Sequence, residues 1–305
     1  MISDQYSFSI PEGKTIRVIT DTDAKNEADD QYALVHMLLS PRFDNRGIIA
    51  AHFGEDKSTT SMEDSYREIE AILKLMNRGA DGLVFRGASH TLSDEKRPVP
   101  SSGSEVIIRE AMADDPRPLF IIFLGPLTDM ASAYIQEPGI AEKVTIIWIG
   151  GGKYPAGGRE YNLSNDLHAA NVVFQSHIPV WQVPQNVYRM VMVSLAELEY
   201  RVKPCGRLGA YLFRQLVAYG HTTYGRSSQY RTGECWCLGD SPAVGLMLYE
   251  HHFNYDWIPA PKVSKDMTYT HNTHYRPIRV YNYVDARFIL EDFYAKLALF
   301  ATKAR

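Results

Sequence analysis

Thr20-Asp21-Thr22-Asp23-Ala24-Lys25-Asn26-Glu27-Ala28-Asp29-Asp30-Gln31 places Asp21, Asp23, Asp29 and Asp30 within ten consecutive positions. Residues 16–20, Ile-Arg-Val-Ile-Thr, precede the cluster and read as a short strand, while Ala33, Leu34, Met37 and Leu38 follow at helical spacing. The acids therefore fall where a β-strand ends and a helix begins. Like charges this close repel, and the cluster stays ionised only where positive charge is supplied. A helix N-terminus supplies part of it through its free N–H groups and dipole. A bound cation would supply the rest. Carboxylate oxygens with no Cys or His among them suit calcium or magnesium, not zinc. The competing reading is a solvated acidic loop that caps a helix. Polar islands that follow other strands of the chain weigh against it.

Outward from this stretch, strand-like and helix-like segments alternate. Strands are expected at residues 16–20, 47–53, 82–85, 119–124, 144–149 and 180–183. Several are continuous apolar runs, such as Leu119-Phe120-Ile121-Ile122-Phe123-Leu124, the mark of strands covered on both faces. Amphipathic helices are expected between them at 27–39, 61–76, 104–113, 127–135 and 167–175. Further helices are expected at 207–219 and 242–249, then a strand at 277–283 and a last helix at 286–303. This alternation implies an α/β fold: an open, mostly parallel sheet with helices on both faces. No repeat, low-complexity tract or Pro/Gly/Ser linker divides the chain, so one domain is expected over residues 1–305, with 1–15 as an N-terminal extension.

Composition narrows the function classes. A formal charge of −4 gives no reason to expect nucleic acid or an anionic membrane as partner. No apolar run reaches the roughly 18 residues that span a bilayer. The first residues, Met-Ile-Ser-Asp-Gln-Tyr-Ser, lack the basic and apolar regions of a signal peptide. The only cysteines are Cys205, Cys235 and Cys237, an odd count that suggests no disulfide framework. A cytoplasmic protein is expected.

In an open α/β sheet, ligands bind beyond the carboxyl ends of the strands. The Asp cluster follows the first expected strand, and Gly54-Glu55-Asp56 the second. Gly125-Pro126-Leu127-Thr128-Asp129 follows the fourth; Gly150-Gly151-Gly152 and then Glu160-Tyr161-Asn162 follow the fifth. Late in the chain Gly239-Asp240-Ser241-Pro242 opens another helix. Each alone is a common glycine turn or helix cap. Together they favour a cation-assisted site for a polyhydroxylated ligand.

These motifs, in this order, resemble the calcium-dependent nucleoside hydrolases of the inosine–uridine type. Asp21 to Leu34 is similar to that family's Asp-x-Asp, short loop, Asp-Asp and apolar helix. Gly125-Pro126-Leu127-Thr128-Asp129-Met130-Ala131 is similar to Gly-Pro-Leu-Thr-Asn-x-Ala. Glu160-Tyr161-Asn162 with Asp166 and Ala169-Ala170 resembles Glu-Phe-Asn with Asp-Pro-x-Ala-Ala, and Asp240-Ser241-Pro242-Ala243 resembles His-Asp-Pro-x-Ala. Tyr283 to Phe288 fits the usual final strand and helix. Four ordered motifs are far more specific than one. The resemblance implies a Rossmann-like nucleoside hydrolase fold and a glycosidase that cleaves the N-glycosidic bond of a ribonucleoside, with a role in purine or pyrimidine salvage. It also implies a homo-oligomer, a dimer or a tetramer.

By the same resemblance, Asp23, Asp30, Asp240 and the main-chain carbonyl of Thr128 would hold Ca²⁺. Asp23 would also be the base that deprotonates the attacking water. Asp29 would accept from the ribose 2′-hydroxyl, Glu160 and Asn162 would grip the rest of the sugar, and Asp21 would orient its neighbours. The chain also departs from the family. The loop Ala24-Lys25-Asn26-Glu27-Ala28 is longer than the usual Pro-Gly-x and matches a more divergent branch. Glu55 takes the place of a ribose-contacting Asn. Gly239 replaces the His that protonates the leaving base. A substitute acid is sought among His221, Tyr224, Tyr230, His271 and His274, each of which reads equally as a surface side chain. Trp181 and Trp236 could stack on a base or lie in the core. His251-His252 would do no more than complement a helix dipole. Two other classes stay open: a nucleoside- or ribose-binding protein that keeps the metal without efficient turnover, and a metal-dependent phosphatase or phosphotransferase. Lys25 stands where the latter's Asp-x-Asp-x-Thr order would require Thr.

Overall fold

The computed structural model describes residues 6–227, 233–249 and 253–303; Tyr230, His251 and His252 lie outside the described residues. Its strands are β1 (Ile16–Thr22), β2 (Phe43–Ala50), β3 (Val84–Arg86), β4 (Leu119–Phe123), β5 (Val144–Ile149), β6 (Val180–Val183), β7 (Met192–Ser194), β8 (Cys235–Cys237), β9 (Tyr255–Pro259), β10 (Lys262–Val263), β11 (Tyr269–Thr270) and β12 (Pro277–Tyr281). Its helices are α1 (Asp30–Leu39), α2 (Ser61–Leu75), α3 (Ser102–Ala111), α4 (Thr128–Gln136), α5 (Tyr161–Asn165), α6 (Leu167–Gln175), α7 (Gln185–Tyr188), α8 (Leu195–Arg201), α9 (Gly206–Gly220), α10 (Thr223–Ser227), α11 (Ser241–Leu248) and α12 (Ala286–Lys303).

Eight strands form the central sheet in the order β3-β2-β1-β4-β5-β6-β12-β9. All neighbours are parallel except the edge strand β9, which runs antiparallel to β12. The apolar runs alternate between two cores, as strands buried on both faces must. Val18, Ile48, Ile122 and Ile147 pack under α1, α2, α9, α11 and α12. Ile19, Ile49, Ile121, Phe123, Ile146 and Trp148 pack under α3, α4 and α6. Helix starts follow local chemistry. Ser101 caps α3, with its Oγ accepting from Ser104 N at 2.8 Å, and Asp166 caps α6 by accepting from Ala169 N at 2.9 Å.

The chain order reverses between β1 and β4. From β1 it winds outward through β2 to β3, and from β4 outward through β5 and β6. At such a switch point the loops that follow two adjacent strands turn away from each other and leave a crevice. The loops that open here carry Asp23 and Gly125.

Element limits differ from the sequence expectation at informative places. β1 continues through Asp21 and Thr22, because Asp21 pairs with Ile49 and Phe123 in the two flanking strands. α1 begins at Asp30, not at 27, leaving residues 24–29 as a loop over the crevice. β2 starts at Phe43 and ends at Ala50. Its polar first half, Asp44-Asn45-Arg46, hides a strand that pairs with residues 16–18. The edge strand β9 and the two short pairs β7/β8 and β10/β11 escape sequence reading, since pairing of such short segments is decided by tertiary contact.

Candidate active site

The switch-point crevice is lined by Asp23, Asn26, Glu27, Asp29, Asp30, Leu124, Ile149, Glu160, Tyr161, Asn162, Tyr188, Cys237, Gly239 and Asp240. Asp29 and Asp30 arrive at the start of α1, Asp240 immediately before α11, and Asp23 just past β1. Asp29, Asp30 and Asp240 each offer an oxygen, and these oxygens lie within 4.8 Å of one another. Asp30 Oδ1 accepts from Thr22 Oγ1 at 2.5 Å, and Asp29 Oδ2 accepts from Gly239 N at 2.9 Å. Asp23 is 1% exposed and neither of its carboxylate oxygens has a hydrogen-bond partner among the described residues. Buried acceptors left unpaired cost stability unless something fills them.

The opposite wall is held by backbone donors. Glu160 accepts from Gly151 N and Leu163 N, both at 2.8 Å, from Asn162 N at 3.2 Å and from Tyr188 Oη at 3.0 Å. Asn162 spends both amide hydrogens on the strand ends, donating to Leu124 O at 2.8 Å and Ile149 O at 2.9 Å. Its Oδ1 is thereby the atom left to meet a ligand, as an acceptor. Gly125 permits the close approach of β4's end to the acids: a Cβ there would lie 3.0 Å from Asp23 Cγ.

The electrostatics follow from burying many carboxylates together. Burial raises the Asp29 carboxyl to about 6, against the pull of backbone N–H donors. Burial and then the Asp29 charge raise Asp30 to about 7 and Glu27 to about 8. Asp23 and Asp240 are pushed well above the ordinary carboxylate range, first by burial and then by the neighbouring aspartates. Lys57 pulls the other way on Asp23 and Glu27. Hard oxygen donors that must otherwise hold protons, with Asp23 unpaired beside them, fit a divalent cation.

The inosine-uridine preferring nucleoside hydrolase family matches residues 18–287 of the chain. The chain belongs to that family. It is a ribonucleoside hydrolase of the glycosidase type, acting on the N-glycosidic bond. It is 25% identical over 234 residues to a probable uridine nucleosidase 2 of Arabidopsis thaliana, covering 68% of this chain and 70% of that one. It is 27% identical over 206 residues to a pyrimidine-specific ribonucleoside hydrolase, RihA, of Salmonella paratyphi A, covering 60% of this chain and 64% of that one. The chain thus spans about two thirds of the length of these relatives. Its fold is similar to that of a purine-preferring ribonucleoside hydrolase from Gardnerella vaginalis, with a TM-score of 0.77 and 20% identity over 94% of this chain and 99% of that one.

Within this nucleoside hydrolase, several expected residues meet and others do not. Asp23, Asp29, Asp30, Asp240, Glu160 and Asn162 all line the one crevice. Thr128 does not. It opens α4, so its main-chain carbonyl faces along that helix, and its Oγ1 sits between His52 Nε2 at 2.9 Å and Asp166 Oδ2 at 2.8 Å. Leu124, just past β4 and immediately before this motif, lines the crevice instead. Glu55 is exposed and stands outside the crevice, because β2 ends at Ala50 and the following loop turns outward. Asp21 lies beneath the site as a fully buried strand residue; its carboxylate faces that of Asp129, which accepts from Ala88 N at 3.0 Å and Ser101 Oγ at 2.5 Å.

None of the histidines proposed as leaving-group acid reaches the crevice. His221 is exposed at the end of α9, His274 is exposed in a loop, and His271 Nε2 pairs with Pro155 O at 2.6 Å elsewhere on the surface. Trp236 is buried edge-on against Tyr219, and Trp181 packs with Phe120 in the core. Sequence reading assigned no role to Asn26, Glu27, Leu124, Tyr161 or Tyr188. Asn26 and Glu27 were visible in the extra loop length. Tyr188 carries no signal, since only the turn after β6 brings its hydroxyl to Glu160.

Proposed function

We propose that the chain hydrolyses ribonucleosides with a calcium ion held by Asp23, Asp30, Asp240 and the Leu124 carbonyl, with Asp29 beside it. The observation that carries this reading is Asp23, whose two buried, unpartnered oxygens sit next to the Asp29, Asp30 and Asp240 cluster. When bound, the ion would anchor the sugar diol and supply Lewis acidity to a water. Asp23 accepts that water's proton at its carboxylate. Asp29, steadied by Gly239 N–H, accepts from the 2′-hydroxyl. The Glu160 carboxylate and Asn162 Oδ1 take the remaining sugar hydroxyls. Loss of the base builds oxocarbenium character on the ribosyl carbon, and the surrounding carboxylates stabilise it.

Ribose release from a panel of nucleosides, with EDTA and with calcium or magnesium restored, tests the proposal. Calcium-dependent release is expected, with loss on chelation; full activity in EDTA would overturn it. A nucleoside-binding protein without turnover is favoured by one feature, the absence of an acid at Gly239, and the same assay separates it. We further read residues 1–305 as one domain, a homo-oligomer of two or four copies, cytoplasmic and serving nucleoside salvage. Light scattering of the purified protein tests the assembly.

A further inference from the structure

The crevice is rich in acceptors and poor in donors. Gly239 N–H is used by Asp29, the Tyr188 hydroxyl by Glu160, and both Asn162 amide hydrogens by strand carbonyls. Among the described residues that line the crevice, one side-chain donor is left. Asn26 lines the crevice, is 7% exposed, and its Nδ2 donates to no described residue. Its orientation is settled by chemistry: Lys57 Nζ donates to Asn26 Oδ1 and, at 3.1 Å, to Asn26 O. An ammonium has no lone pair, so it pairs only with the oxygen edge of the amide and leaves the NH₂ edge to the crevice.

Lys57 is itself held at the mouth. Its ammonium lies over the ring of Tyr161 at 4.4 Å and that of Tyr224 at 5.4 Å, with Tyr219 Oη at 3.4 Å. Tyr224 Oη donates to Asp56 O at 3.0 Å and Tyr161 Oη to Phe53 O at 3.2 Å, which pins the lysine's own loop. The sugar end of the crevice is occupied by carboxylates, so the mouth is where a base would sit.

We propose that Asn26 is a specificity-determining residue whose amide N–H donates to an acceptor of the leaving nucleobase, and that Lys57 is its positioning residue. Every nucleobase carries a carbonyl oxygen or ring nitrogen that can accept. As the C1′–N bond breaks, its electron pair passes to the base and spreads onto those acceptors, so the hydrogen bond strengthens in the transition state. Asn26 transfers no proton; water supplies it to the departed base. This rests on the hydrolase reading above.

The test compares inosine and uridine with p-nitrophenyl riboside, whose leaving group needs no such donor, and adds inosine and ribose affinity by calorimetry. N26D keeps the shape and the Lys57 contact but loses the donor. Expected for N26D and N26A is a fall of about 10- to 100-fold in kcat/KM for inosine and uridine, with p-nitrophenyl riboside within about threefold. Ribose affinity stays unchanged while inosine affinity weakens. K57M should show a smaller fall of the same selectivity, partly restored in K57R. An equal loss on all substrates, or wild-type inosine kinetics in N26D, would overturn the proposal. If the wild-type protein cleaves no nucleoside, the hydrolase reading fails instead. The inosine affinities of wild type and N26D then decide Asn26 alone: equal values overturn its role, and a selective loss upholds it.

Discussion

At Gly239, where the family resemblance leads to the expectation of a histidine, the packing is close. A Cβ at this position would lie 3.0 Å from Tyr188 Cδ2 and 3.3 Å from Asp29 Oδ2. The Tyr188 ring that crowds it also supplies a hydroxyl to Glu160, so a side chain here would press on the ring that holds that wall. A nucleoside hydrolase lacking that acid activates its leaving group weakly. Turnover of p-nitrophenyl riboside should therefore exceed that of inosine or uridine by at least tenfold in kcat, on the usual scale of one general acid, ~10²–10⁴. Matched kcat values would mean that an efficient acid operates at the mouth. At Asp23 the expectation is larger. In the proposed mechanism Asp23→Asn would remove both a base and a cation ligand, and kcat should fall by about 10³-fold or more while far-UV circular dichroism is unchanged. A variant with near wild-type kcat would exclude Asp23 as the base.

At the scale of elements, the site depends on where strands stop. β1 runs three residues past its last apolar residue, Ile19, so Thr22 can hold Asp30 while Asp23 is the first residue free of the sheet. β4 stops at Phe123; of its next two residues, Leu124 lines the crevice and Gly125 packs against Asp23. Gly125→Ala puts a methyl 3.0 Å from Asp23 Cγ and 3.3 Å from Asp23 Oδ2. Asp23 must then shift by a few tenths of an ångström. kcat should drop by roughly tenfold with only a small change in melting temperature, since misplacement of a reacting group costs rate before it costs fold. An unchanged kcat would show that Asp23 has slack. The apolar strands and amphipathic helices were legible because both faces of the sheet are covered, which forces long hydrophobic runs. The limits of α1 and β2 were not. Glu27 fits a helical pattern yet sits in the loop over the crevice, and Asp44 and Asn45 precede the strand expected from 47 yet pair with Arg17 and Val18.

For the whole molecule, the clustered acids set a pH dependence of stability. Asp29, Asp30 and Glu27 bind protons up to about 6, 7 and 8 in the fold, against roughly 4 when unfolded. The folded, metal-free protein thus holds more protons than the unfolded chain, and it loses stability as pH rises from about 4 through 8. A calcium ion held as proposed would bind the ionised form, so its stabilisation would grow over the same range. Melting temperatures between pH 5 and 8 should fall with rising pH in EDTA and flatten or rise with calcium. A melting temperature in EDTA that climbs toward pH 8 would show that these carboxylates are not crowded as described.

From the sequence alone came the α/β class, the alternation of strands and helices in a mostly parallel sheet, the family motifs and most polar residues of the site: Asp23, Asp29, Asp30, Glu160, Asn162 and Asp240. These were legible because hydrophobic periodicity records burial and because acids that follow apolar strands mark one rim of a parallel sheet. Which rim residues actually meet was decided by the tertiary structure. It put Leu124 in the crevice instead of Thr128, turned Glu55 to solvent, left His221, His271 and His274 outside, and brought Asn26, Lys57 and three tyrosines to the mouth. The physical reason is that such contacts depend on where each strand ends and how its loop turns, to within a single residue. Spacing along the chain does not carry that information.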